Sequence, residues 1–156
     1  MLDINTSVIM NRNKKIALIA ALSALIILMG IPGLHLGYIM ISPAASLTIM
    51  HIPVLLAAIL AGLPGGLITG FIFGITSLVN AAVNPSGVLD PLFVNPLCSV
   101  LPRLLFGFVA WFFFYLFSKL KKLPLYLNAT ITALLASLIH TFLVIGSMYV
   151  FLHAKT

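Results

Sequence analysis

Apolar residues run in five long stretches, at positions 16–31, 47–61, 65–83, 97–117 and 127–151, with short polar segments between them. A helix crosses the hydrocarbon of a bilayer in about 17–25 residues at about 1.5 Å rise per residue. Each stretch therefore predicts a membrane helix. The second is short, so it tilts little or borrows residues from its loops. Pro53 falls in the first turns of that helix, where proline is tolerated. Pro102 falls inside the fourth stretch and predicts a kink; the hydrogen bonds it frees need partners from the rest of the bundle.

Composition supports a surface that faces lipid. The chain is 62% hydrophobic and 6% charged, with a mean hydropathy of +1.25, whereas a soluble domain carries roughly 25% charged residues. The length suits one membrane-embedded domain over 1–156. The net charge of +6 sits largely in two short clusters, Arg12, Lys14 and Lys15 before the first stretch and Lys119, Lys121 and Lys122 after the fourth. Clusters that flank apolar spans are topology signals rather than a nucleic-acid surface. Both fall on the cytoplasmic side if the N-terminus is inside. The loops 32–46 and 84–96 then lie outside, and the tight Gly62-Leu63-Pro64-Gly65 turn lies inside. The apolar stretch from Ile16 lacks a small-residue cleavage site, so no signal peptide is expected. A single cysteine, Cys98, excludes an internal disulfide and a cysteine-cluster metal site.

Asp90 is the one charge between Ile16 and Pro102, and Arg103 follows it within an otherwise apolar run. A guanidinium at membrane depth costs about 2.5–3.5 kcal/mol or more. Arg103 therefore faces protein, water or an anion: it anchors a ligand carboxylate or phosphate, pairs with Asp90, or snorkels to the interface. His140, in the middle of the fifth stretch, either meets a ligand or bridges two helices. His51, early in the second, is a ligand contact or an interfacial polar residue. Asn80, Asn84 and Asn95 gather near the ends of the third and fourth stretches, and Tyr38 lies in the first long loop. Together these residues suggest an outward-opening cavity for a small polar molecule with an anionic group. Gly62, Gly66, Gly70 and Gly74 form a four-residue ladder, as do Ala17 with Ala21 and Ala20 with Ala24. Such ladders pack a bundle internally or offer a smooth face to a partner subunit. The aromatic run from Trp111 to Tyr115 is expected at lipid and the inner interface.

Several classes lose support. There is no Gly-x-x-x-x-Gly-Lys-Ser/Thr, His-Glu-x-x-His or Gly-x-Ser-x-Gly, so neither ATP-driven work by this chain alone nor a recognisable hydrolase is indicated. Four histidines and two carboxylates make a weak metal case. The absence of a run of membrane carboxylates disfavours an ion-coupled pump.

Thr48-Ile-Met-His-Ile-Pro, Gly65-Gly-Leu-Ile-Thr-Gly-Phe-Ile-Phe-Gly and Asn95-Pro-Leu-Cys-Ser-Val-Leu-Pro-Arg-Leu-Leu-Phe-Gly resemble the substrate-binding S components of energy-coupling factor (ECF) vitamin transporters, over about residues 14–150. The resemblance implies an all-α bundle of six membrane helices in a prokaryotic plasma membrane. It implies capture of a water-soluble vitamin or precursor from outside, with pantothenate favoured because it is small and carries one carboxylate. It implies docking on a membrane coupling (T) subunit driven by two cytosolic ATPases, which hold the ATP and magnesium; this chain is expected to need no cofactor. Docking in that family uses an Ala-x-x-x-Ala face of the first helix, here Ala17 and Ala21, with Ala20 and Ala24 as a second copy. Toppling of the whole S component carries the vitamin inward. The chain shows five stretches where the family has six helices, so either the segment around 36–46 adds membrane-embedded structure or a sixth helix is absent. Two other classes stay open: a self-sufficient facilitator or secondary transporter of a small anionic molecule, and a structural membrane subunit without ligand.

Overall fold

A computed structural model describes residues 11–32, 36–42, 45–83, 85, 90–119 and 124–153. The elements run α1 (Arg12–Met29), β1 (Tyr38–Ser42), β2 (Ala45–Thr48), α2 (His51–Ala61), α3 (Leu63–Val83), α4 (Asp90–Phe93), α5 (Pro96–Ser118) and α6 (Leu125–His153). The five long helices coincide with the five apolar stretches, and the protein is an all-α membrane bundle. Helices α3, α5 and α6 are each long and apolar enough to span a bilayer. Helix α1 has 18 residues but opens on Arg12, Lys14 and Lys15, cations that belong at a membrane edge. The second stretch is corrected at its start: Ala45–Thr48 is a strand, and the helix begins only at His51. The strand pairs antiparallel with β1, Tyr38 opposite Thr48 and Ile39 opposite Leu47. The segment between the first two helices is thus a hairpin, and the sixth long helix of the family has no counterpart among the described residues.

The bundle exposes many large apolar side chains and buries several polar ones beside its apolar core. On α6, Leu138, Phe142, Ile145 and Tyr149 are exposed, while Asn128, Thr132, Ala136 and His140 are buried. The buried four recur every fourth residue and so share one helix face. Hydrocarbon offers no hydrogen-bond partners, so the polar positions turn inward and satisfy one another. Asn128 Nδ2 donates to Ser118 Oγ at 3.0 Å and Thr132 Oγ1 donates to Asn128 Oδ1 at 3.2 Å, tying α6 to the end of α5.

Helices α3 and α5 meet along the glycine ladder and run antiparallel. A Cβ on Gly70 would lie 2.6 Å from the Arg103 carbonyl oxygen, and one on Gly74 would lie 2.7 Å from Val100 Cα. Gly66 faces Gly107 in the same seam. These glycines are internal packing residues: without side chains, the two backbones come close enough for dispersion contacts along the seam. The ladder's first member, Gly62, does a different job. It holds φ of +79° between α2 and α3, a left-handed geometry that residues with a Cβ rarely adopt. The hydrophobic core between the helices comprises Ile26, Met50, Val54, Ala58, Phe73, Phe106, Ala110 and Ala136.

Candidate ligand site

Pro102 and Arg103 act as a local unit within α5. Proline has no backbone N–H, so the Cys98 carbonyl four residues earlier loses its helical donor. The Arg103 side chain leans back toward the N-terminus of the helix, as helical side chains do. Its Nη1 donates to the Cys98 carbonyl at 3.0 Å and to the Ser99 carbonyl at 3.1 Å. Arg103 is 7% exposed, so this charge lies well inside the bundle. Its guanidinium carbon lies 4.8 Å from the Phe93 ring centroid and 5.6 Å from that of Phe73. Both distances fall within the range of cation–π attraction. Ser99 Oγ donates to the Gly74 carbonyl at 3.1 Å, fixing this part of α5 against α3.

Beside the guanidinium lies a cluster of rings from four helices. His51 contacts Phe73 edge-on at 5.1 Å between centroids, Phe106 at 4.9 Å and His140 at 4.5 Å. Phe106 also meets His140 at 5.4 Å. The two imidazoles are hydrogen-bonded, His51 Nε2 to His140 Nδ1 at 3.2 Å, which links α2 to α6 across 89 positions of sequence. His51 Nδ1 donates to the Thr48 carbonyl at 3.0 Å, so the end of the hairpin orients the first ring of the pair. Phe73 meets both His51 and the Arg103 guanidinium.

Arg103, His51 and His140, flagged from the sequence, are thus linked through one ring cluster that includes Phe73 and Phe106. The other candidates are distributed differently. Asn95 caps α5, its Oδ1 accepting from the Leu97 backbone N–H at 3.0 Å. Asn80 is half-buried near the end of α3. Asn84 lies outside the described residues, as do the side chains of Tyr38 and Asp90. Ala17, Ala20, Ala21 and Ala24 are all exposed on one face of α1, opposite the buried Ser23, Ile26 and Gly30. Sequence reasoning missed Phe73, Phe93 and Phe106. Phe106 lies three residues after Arg103 and so shares its helix face, a usable signal; nothing local singles out the other two. Among the described residues, no group of three or more His, Cys, Asp or Glu could hold a metal ion.

Residues 14–156 match the protein family described as ECF transporter, substrate-specific component. No curated protein matches the chain.

Proposed function

Because the chain belongs to the substrate-specific components of ECF transporters, a family of transport subunits rather than enzymes, we propose that it captures a water-soluble vitamin or vitamin precursor outside the cell and delivers it inward. In this reading it works with a membrane coupling (T) subunit and two cytosolic ATPases that hold ATP and magnesium. The N-terminus faces the cytoplasm of a prokaryotic cell, as the basic residues Arg12, Lys14 and Lys15 favour.

The observation that carries the reading is the buried Arg103 charge set against the His51–His140 pair and the rings of Phe73 and Phe106. A cation in a dry, aromatic-walled place attracts a small anion, and the aromatic faces suit the apolar parts of an organic molecule. Pantothenate fits this chemistry: it has one carboxylate, hydroxyl groups and an amide. Asn80 and Asn95, near the adjoining ends of α3 and α5, would line the approach to the site, and Asn84, Asp90 and Tyr38 are proposed as further ligand contacts from their positions in the chain. The exposed alanine stripe of α1 supports partner docking, since four small residues there leave a shallow surface that a second helix can approach closely.

The test is to purify the protein in detergent from cells grown in rich medium, denature it, and identify what it releases by mass spectrometry. A stoichiometric vitamin supports the reading, and pantothenate supports the finer choice. Uptake by this chain alone in vesicles, without ATPases, would instead make it a self-sufficient facilitator.

A further inference from the structure

The candidate site contains a hydrogen-bond relay whose last atom is unmatched. The Thr48 carbonyl can only accept, so His51 Nδ1, at 3.0 Å from it, carries a hydrogen. A neutral imidazole has one N–H, which leaves His51 Nε2 as a lone pair. That lone pair faces His140 Nδ1 at 3.2 Å. Two lone pairs would repel, so the hydrogen of His140 sits on Nδ1. By the same count, His140 Nε2 is a lone pair. Neutral rings are the form favoured where the Arg103 guanidinium already supplies a cation and Phe73 and Phe106 replace water.

His140 is 8% exposed, and its Nε2 has no hydrogen-bond partner among the described residues. Buried polar atoms without partners are rare in folded proteins. The remedy open to the other buried polar groups of α6 is not used here. Asn128 and Thr132 bond to each other on the same stripe, whereas the one bond of the His140 ring among the described residues runs through Nδ1 to His51.

We infer that the ligand donates a hydrogen bond to His140 Nε2. This rests on the reading of the site as the seat of a captured vitamin, and it narrows the chemistry. The molecule presents a hydroxyl or an N–H to α6. A carboxylate or phosphate oxygen at that point would set lone pair against lone pair. An anionic group therefore sits at the Arg103 guanidinium, and the donor sits at His140. The ligand is bifunctional, and a purely anionic molecule with acceptors alone fails at this nitrogen.

The experiment reads the imidazole nitrogens directly. The full chain is labelled with 15N-histidine, reconstituted in lipid nanodiscs, and its ring signals are assigned with the variants His35→Gln and His153→Gln. The expected result without ligand is an unprotonated Nε2 and a protonated Nδ1 on His140. A protonated Nε2 overturns the inference, because that atom would then donate. Pantothenate is next added, with its binding followed by calorimetry. A bound state in which the Nε2 signal moves to lower frequency and stays unprotonated supports the inference; bound pantothenate that leaves the signal unmoved overturns it. If calorimetry shows no binding, the choice of vitamin fails, and the same shift is read with the molecule that the purified protein releases.

Discussion

Replacing Pro102 by alanine returns a backbone N–H to α5 and gives the Cys98 carbonyl a helical donor again. In the natural protein that carbonyl accepts from Arg103 Nη1 at 3.0 Å, and Cys98 is 1% exposed. Arg103→Met alone therefore leaves a buried acceptor unmatched, which costs about 1–3 kcal/mol. In the Pro102→Ala background the same change leaves the carbonyl bonded, and that part of the cost disappears. Every other interaction of the guanidinium is removed in both backgrounds and cancels. The double-mutant cycle should return a coupling of about 1–3 kcal/mol. At about 2–4 °C per kcal/mol for a chain of this size, the Arg103→Met shift should be several degrees larger with Pro102 present. The assay is thermal unfolding of the four proteins in one detergent, followed by circular dichroism. Additivity to within about 0.5 kcal/mol would refute the account of Pro102 and Arg103 as one unit.

The glycine seam predicts a contrast between two identical substitutions. Gly70→Ala forces a Cβ to 2.6 Å from the Arg103 carbonyl oxygen and should destabilise by about 1–3 kcal/mol, whereas Gly146→Ala meets nothing within 4 Å and should be neutral or stabilising by up to about 1 kcal/mol; equal melting shifts would sink the argument. Ser23 Oγ is buried without a hydrogen-bond partner among the described residues, so Ser23→Ala should leave the melting temperature unchanged or raise it. A clear drop there would mean that the hydroxyl has a partner. Replacing Ala17 and Ala21 together by leucine should leave vitamin binding intact and abolish ATP-driven uptake in vesicles with the coupling module, since both face away from the bundle. Loss of binding itself would contradict their outward placement.

The helices were legible because the requirement that shapes them is simple: enough apolar length to cross hydrocarbon. The start of the second was not. Leu47, Thr48, Ile49 and Met50 continue one apolar run, and such a run does not distinguish a strand end from a helix start. Arg103 announced itself as a charge in an apolar segment, yet its service to the Cys98 carbonyl depends on the direction a helical side chain takes, which spacing alone does not display. His51 and His140 each stood out as a polar residue in a membrane stretch. That they touch depends on how α2 and α6 are arranged around α5, information spread over 89 positions. The stripe of Asn128, Thr132, Ala136 and His140 was readable in principle, as a fourfold recurrence of small and polar residues. It marks the inward face of α6 and would have put His140 in the interior.

The shortness of α2 bears on how deep the proposed site would lie. Its eleven residues rise about 16 Å, close to half of a hydrocarbon layer about 30 Å thick. If the Gly62 turn lies at one membrane face, as the basic clusters predict, His51 at the opposite end of the helix would lie near the bilayer midplane. His140, fifteen residues into α6, stands about 22 Å along its own helix. On that placement, a ligand that reaches these rings would already have traversed a large part of the barrier by diffusion and binding. In the proposed transport cycle, the work left to the partner ATPases would be the release of a molecule held midway, and tighter capture would make that step harder in direct proportion to the binding free energy.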